Sequence, residues 1–435
     1  MVILQWSLLA LSIILLAVLG RKRPSLLIPL LTAAAALDIS ITWYPSLGAL
    51  GTALGGISLA RLTAFALILT ALILWFRDWN LRQEGKELLH QGMFWALLIY
   101  LVLGGVSVLY AADRMRTVIE CVRLFTLFAL FLAVCLLAER HEALWPLRVV
   151  HTVGVILTPL VIFEQVTGHF IWQQQFAAGM IARPPATFID ANILARYLIL
   201  ALVANIVLQY YTQERRARVV YRIAMLGLAG ALAATFSRSG YLTLVVVLLA
   251  LAVWTRTKKI LLPVGLLAVA GVALLALNPG IWQRLLTLKE GISALDAQRQ
   301  YLVQAAWAMF QAHPLRGVGL GSFHKVFMDQ YVFMQTVEDG ATLSHTSLLT
   351  IAAELGALGL AALAGVWAAL AGLYRQASRQ LGGENRMIAI AYILWILTIF
   401  ISSQSESRFF EDPLVWVSCG MLYRLAARNW RIGRW

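Results

Sequence analysis

Residues able to do chemistry gather in the polar stretches between long apolar runs. His345 stands where a polar segment passes into the apolar run "SLLTIAAELGALGL" (347–360). An imidazole titrates near neutrality, so it can take a proton from a hydroxyl. A histidine at such a helix start can also simply cap it or hydrogen-bond at an interface. On a continuous helix Ala352, Gly356 and Gly359 share the direction of His345, within about 40° at 100° per residue. Small residues at that spacing mark a face where helices approach closely in lipid, which turns His345 into the bundle. Glu354 points the other way on the same wheel and is no obvious partner for it.

Arginines recur in the same compartment: Arg183, Arg238, Arg299, Arg316 and Arg408. A charge at membrane depth costs on the order of 3 kcal/mol or more unless paired or hydrated. Arg238 lies in the short link "FSRSG" (236–240) between two apolar runs. There it either snorkels to the interface or faces a polar cavity or an anion. The planar guanidinium donates two parallel hydrogen bonds and keeps its charge, which suits a diphosphate. "DANILARY" (190–197) brings Asp190, Asn192 and Arg196 to the outer end of an apolar run, where a headgroup could dock. Glu120 and Arg123, three apart in another run, can neutralise each other as an i, i+3 pair. Aromatic residues in "FIWQQQF" (170–176) and "DQYVFMQ" (329–335) read first as an interfacial belt and second as a platform for sugar rings. The chain has no Asp-x-Asp pair, HExxH, Walker loop or CxxC, so metal-bridged or nucleotide-driven chemistry lacks its usual ligands. The adjacent Glu338 and Asp339 read as solvated loop carboxylates. No metal and no cofactor are expected.

The elements that must position these residues are membrane helices. Only 13% of the 435 residues are charged and 61% are hydrophobic, with a mean hydropathy of +0.79; a soluble domain carries roughly a quarter charged residues. The net charge of +14 comes in short clusters between apolar runs, which sets membrane orientation and does not make a nucleic-acid-binding face. Cys121, Cys135 and Cys419 all lie within apolar runs and read as small core residues. "MVILQWSLLALSIILLAVLG" has its basic residues after the apolar stretch, so it reads as a retained first helix. Apolar runs predict spans near 2–20, 25–42, 58–76, 91–110, 117–138, 144–166, 191–210, 222–236, 240–255, 260–278, 346–374, 387–403 and 413–427, in an all-α polytopic bundle of 12 to 13 helices. The basic clusters at 21–23, 77–86, 139–140, 214–222, 256–259, 375–386 and 424–434 then fall on one side, the cytoplasm by the positive-inside rule. The long polar stretches, 167–190, 279–344 and 402–413, fall on the other. Three parts follow: transmembrane helices over 1–278, a partly helical outer loop domain over 279–344, and C-terminal transmembrane helices over 345–435. Within the loop, Leu302, Val303, Ala306, Met309 and Phe310 recur at helical spacing. That amphipathic helix, on the membrane surface or lidding a cavity, must stop at His313-Pro314, before the glycine-rich "RGVGLGSF".

The long late loop, the run Arg299, Trp307, Pro314, Gly317, Gly319, and the later His345, Glu354, Gly356 together resemble the O-antigen ligase family. "TFSRSG" with Arg238 looks like that family's arginine-bearing turn, and the motifs cover roughly residues 180–370. The family often has His-Asn where this chain has His345-Thr346. The resemblance implies a metal-independent, inverting glycosyltransferase of the glycosyltransferase C type in the bacterial inner membrane. Its active site would face the periplasm, its donor would be an undecaprenyl diphosphate-linked glycan, and its acceptor would be lipid A-core. It further implies Arg238 and Arg299 as catalytic charges at the diphosphate and His345 as base. Arg183, Asp190, Asn192, Arg196, Arg316 and Trp307 would contact substrate. A polysaccharide polymerase would use the same donor, and no residue separates the two. A small-anion transporter would need related halves with broken helices near mid-membrane; the sequence has no evident repeat, and its outer arginines gather at one face.

Overall fold

The computed structural model describes residues 2–46, 56–171, 183–255, 257–277, 297–331, 344, 346–380, 386–406 and 409–427. Among these, all regular structure is helical. The first eight helices are α1 (Val2–Lys22), α2 (Leu27–Ala34), α3 (Leu59–Arg77), α4 (Trp79–Leu88), α5 (Gly92–Ser107), α6 (Arg114–Leu137), α7 (Trp145–Thr167) and α8 (Ala191–Tyr211). They are followed by α9 (Arg215–Ala234), α10 (Arg238–Thr255), α11 (Lys258–Leu277), α12 (Ala297–Ala312), α13 (Ser347–Gln380), α14 (Arg386–Ser402) and α15 (Pro413–Ala426). Short helical segments Phe323–Val326 and Phe327–Tyr331 follow α12.

Acidic caps set several starts, because a carboxylate satisfies amides that have no partner inside the helix. Asp78, Asp113, Asp190 and Asp412 each accept a backbone N–H from the first turn of the helix that follows. Among the described residues, eight helices are long and apolar enough to cross a membrane, or nine if α4 and α5, bent by 75° at their junction, form one span. Each predicted run other than 25–42 coincides with one helix. The run 25–42 is no single span: α2 has eight residues, flanked by the 3-10 segments Pro24–Leu26 and Asp38–Trp43. Helices α14 and α15, with 17 and 14 residues, are short but almost wholly buried.

Helix α8 is the hub. It is buried on every side, with the few polar groups it carries, such as Arg196 and Asn205, held by partners, and it packs against α7, α9, α10, α11 and α14. Helix α14 lies between α8, α10, α13 and α15. Two of its large side chains bond across the core: Trp395 Nε1 donates to the Leu200 carbonyl (3.0 Å) and the Tyr392 hydroxyl to that of Ala143 (2.7 Å). Cys135 and Cys419 are buried free thiols in this core and Cys121 is half-buried. The predicted pair forms too, with Arg123 2.9 Å from Glu120, which Arg116 also meets at 3.2 Å.

Candidate active site

The link between α9 and α10 is built by hydroxyls. Phe236 takes a left-handed conformation (φ 48°), uncommon for a bulky residue, and the backbone around it is tied down. The Thr235 hydroxyl donates to the Leu232 carbonyl (2.7 Å), and Ser237 Oγ accepts the Gly240 N–H (3.1 Å) over the first turn of α10. The Ser237 hydroxyl, fully buried, also donates to Asn192 Oδ1 (2.8 Å). Arg183 closes the network: one terminal nitrogen donates to the same Asn192 oxygen (2.6 Å) and Nε donates to the Thr235 carbonyl (2.8 Å). Arg183, Asn192 and the Ser237–Arg238 link are thus fixed together where α8 and α10 begin. Arg238 is the first residue of α10 and half-buried. Both helix starts direct the positive end of a macrodipole toward this region. Asp190 serves as the N-cap of α8, accepting the Asn192 N–H (2.6 Å).

Glu164, which the sequence reading passed over, holds the segment that carries Arg183. Its side chain is fully buried near the end of α7, and its carboxylate accepts N–H groups of Ile171 (2.9 Å) and Ala186 (2.8 Å). Thr187 reaches further, donating from its hydroxyl to the Ala36 carbonyl (2.6 Å) and accepting the Ile39 N–H at its own carbonyl (3.0 Å). A carboxylate within a membrane helix was the available signal.

A second assembly is made by the glycine-rich turn and α13. Gly356 has φ 64° and ψ −157°, so α13 is two helices, 347–355 and 357–380. The helical-wheel direction assigned to Gly356 and Gly359 therefore does not carry across the break. Such a break frees backbone groups that need new partners, and the turn supplies them. The carbonyls of Ala353 and Glu354 accept from the amides of Val318 (3.0 Å) and Gly319 (2.9 Å). The amides of Ala357 and Leu358 donate to the carbonyls of Pro314 (2.8 Å) and Leu315 (3.2 Å). Gly317 (φ 66°) lies so close that a Cβ there would sit 2.3 Å from the Glu354 carbonyl carbon. Glu354 itself is buried, and its carboxylate accepts the amides of Phe323 (3.2 Å) and Gly321. The turn is also sewn to the α5–α6 connection, since the Ala112 amide donates to the Val318 carbonyl (3.1 Å) and the Leu320 amide to Ser107 Oγ (3.1 Å).

Helix α12 stops at Ala312 as the proline predicts and packs on α13. Leu302, Ala305, Ala306 and Met309 make a small core with Val318, Phe323, Phe327 and Ala353. Arg299 is half-buried in the first turn of α12. Trp307 is half-exposed on that helix, its ring 5.5 Å from Phe310. Arg316 belongs to the glycine-rich turn: its guanidinium lies 4.9 Å from the Tyr110 ring centre, and the Tyr110 hydroxyl donates to the Arg316 carbonyl (2.9 Å). Burial raises the Tyr110 phenol above its ordinary range, with Arg316 opposing the shift.

His345 lies outside the described residues, as do Arg408, Glu338, Asp339 and most of the two aromatic stretches. The backbone on either side of His345 is held. Ser344 Oγ lies 2.8 Å from Thr350 Oγ1 and donates to the Thr346 carbonyl (2.9 Å), while the Ser347 N–H and hydroxyl both donate to the Ser403 carbonyl (3.2 and 3.1 Å). Arg196 is placed differently from the headgroup contact expected of it. It is buried one turn inside α8, with one terminal nitrogen 2.8 Å from Glu406 Oε2 and the other 3.2 Å from Asp412 Oδ2.

Residues 223–364 match the family model described as O-antigen ligase. The likeness to that family covers about a third of the chain, from α9 into α13. A comparison with curated proteins finds no match. The matched segment takes in Arg238, Arg299, Trp307, Arg316, His345, Glu354 and Gly356, and leaves Arg183, Asp190, Asn192 and Arg196 outside. The bonds from Asn192 to Ser237 and from Arg183 to Thr235 cross that boundary. The match supports a multi-pass membrane enzyme of the O-antigen ligase or polymerase kind. Among the described residues, the cluster of His and acidic side chains close enough to share a metal ion is Glu139, His141 and Glu142. It precedes α7, at the opposite end of that helix from Glu164.

Proposed function

We propose that the protein transfers a glycan from undecaprenyl diphosphate to a sugar of lipid A-core at the periplasmic face of the bacterial inner membrane. The observation that carries this reading is the Arg183–Asn192–Ser237 network beside Arg238, which fixes an arginine-bearing link at two helix starts. Anions are favoured where arginines meet helix N-termini. The acceptor hydroxyl oxygen attacks the anomeric carbon as the bond from that carbon to the diphosphate oxygen breaks. The diphosphate keeps the electron pair, the hydroxyl proton passes to His345, and the anomeric centre inverts. Arg238 and Arg299 stabilise the departing charge as preorganised cations, with Arg183 held against the link that carries Arg238, so the reaction needs no metal. Arg316 and Trp307 line the approach on the loop domain, 279–344, which lies between the helices of 1–278 and those of 345–435.

The test is transfer in vitro with purified donor and lipid A-core. Product should form in EDTA, need the core acceptor, and fall at least 100-fold in His345→Ala, in the range of a lost general base. Product from donor alone would assign polymerisation instead, and full activity in His345→Ala would remove the histidine from the mechanism.

A further inference from the structure

Arg196 ties the hub of the bundle to the backbone beside His345. Its two terminal nitrogens engage Glu406 and Asp412, one near each end of the loop joining α14 to α15. All three side chains are less than 10% exposed. Buried ion pairs are poor sources of stability because of their desolvation cost, and their best-attested use is to fix one arrangement among several. Asp412 also accepts the Leu414 N–H at the start of α15 (2.8 Å), so the far end of the loop is anchored as well.

The near end of that loop holds the start of α13. Ser403 offers its carbonyl to both donors of Ser347, the Gln404 carbonyl accepts the Thr346 hydroxyl (3.4 Å), and Gln404 Oε1 accepts the Leu348 N–H (3.3 Å). Gln404 is fixed in turn by its amide, which donates to the Phe400 carbonyl (2.9 Å). Three consecutive residues after His345 therefore hang on two residues of a loop that Arg196 clamps. We infer that Arg196 is a positioning residue, which through Glu406, Asp412 and the 403–404 turn sets where His345 meets the acceptor hydroxyl. This rests on the reading of His345 as the base.

The experiment measures steady-state transfer by the full-length protein with donor and lipid A-core, alongside thermal unfolding. Misplacing a reacting group by about 1 Å can cost roughly 100-fold, so Arg196→Met should lower kcat by about that factor with donor KM within about twofold. Arg196→Lys retains the charge without the fork and should recover part of the loss. Ser347→Ala removes one hydrogen bond to Ser403 and leaves the ion triad intact; it should lower kcat with no change in unfolding temperature. If Arg196→Met does not fold, the other two variants decide. Wild-type kcat in both, with His345→Ala inactive, overturns the positioning role and leaves the base reading standing. A rise in donor KM at unchanged kcat would make Arg196 a binding residue, also overturning the inference. Full activity in His345→Ala removes both.

Discussion

Replacing Gly356 by alanine tests whether the break in α13 is built as described. The backbone there has φ 64° and ψ −157°, a region that only glycine occupies without strain, at about 1–3 kcal/mol for any other residue. The added Cβ would sit 2.5 Å from the carbonyl carbon and oxygen of Leu315 and 2.7 Å from the Arg316 nitrogen. These are backbone atoms, so the whole turn must retreat. Retreat strains the bonds to Ala353, Glu354, Ala357 and Leu358, and each buried backbone group left unpaired costs about 1–3 kcal/mol. Taking the low end throughout, with two groups lost, the variant should be destabilised by about 3 kcal/mol. Gly372→Ala is the control on the same helix: no atom lies within 4 Å of the added Cβ, and a helix gains roughly 0.5–1 kcal/mol from such a change. Unfolding of the two detergent-solubilised variants, followed in parallel, should move in opposite directions from wild type. Equal stability of Gly356→Ala and wild type, or equal losses in both variants, would refute the account of the break.

Two further outcomes follow from buried carboxylates that bind backbone amides. Glu354→Gln keeps one acceptor oxygen for the amides of Gly321 and Phe323 and Glu354→Ala keeps none, so the alanine variant should be the less stable by about 1–3 kcal/mol; proteolytic cleavage within 314–323 would report the released turn, and equal behaviour of the two variants would count against that role. Glu164→Ala frees the amides of Ile171 and Ala186 and loosens the segment bearing Arg183, so donor KM should rise several-fold with kcat less affected; an unchanged KM in a stably folded variant would disconnect Glu164 from donor binding.

What could be read from the sequence was what depends on near neighbours. The end of α12 at His313-Pro314 and the Glu120–Arg123 pair are settled within a turn of chain, and both form as read. The apolar runs located the helices, but run length overstated 25–42, whose end at Ala36 and Ile39 is tied to Thr187, far along the chain. Arg196 was visible as a charge at the outer end of an apolar run, yet its carboxylate Glu406 comes from 210 positions away. The arginine-bearing link was visible as a motif, while the reason for its serines appeared only once Asn192 and Arg183 were brought against it. Nothing in "AAELGALGL" announces the break at Gly356, because glycine also occurs within unbroken membrane helices. The turn's carbonyls and amides reveal it.

The same break settles how much of α13 the membrane needs. The 18 residues between it and the basic cluster that begins at Arg375, 357–374, reach about 27 Å at 1.5 Å each, within the length of helix that spans a bilayer. The nine residues before it, 347–355, are surplus to crossing and are free to take their direction from the turn and the α14–α15 loop. Bilayer thickness can then vary under α13 without moving the end that begins beside His345.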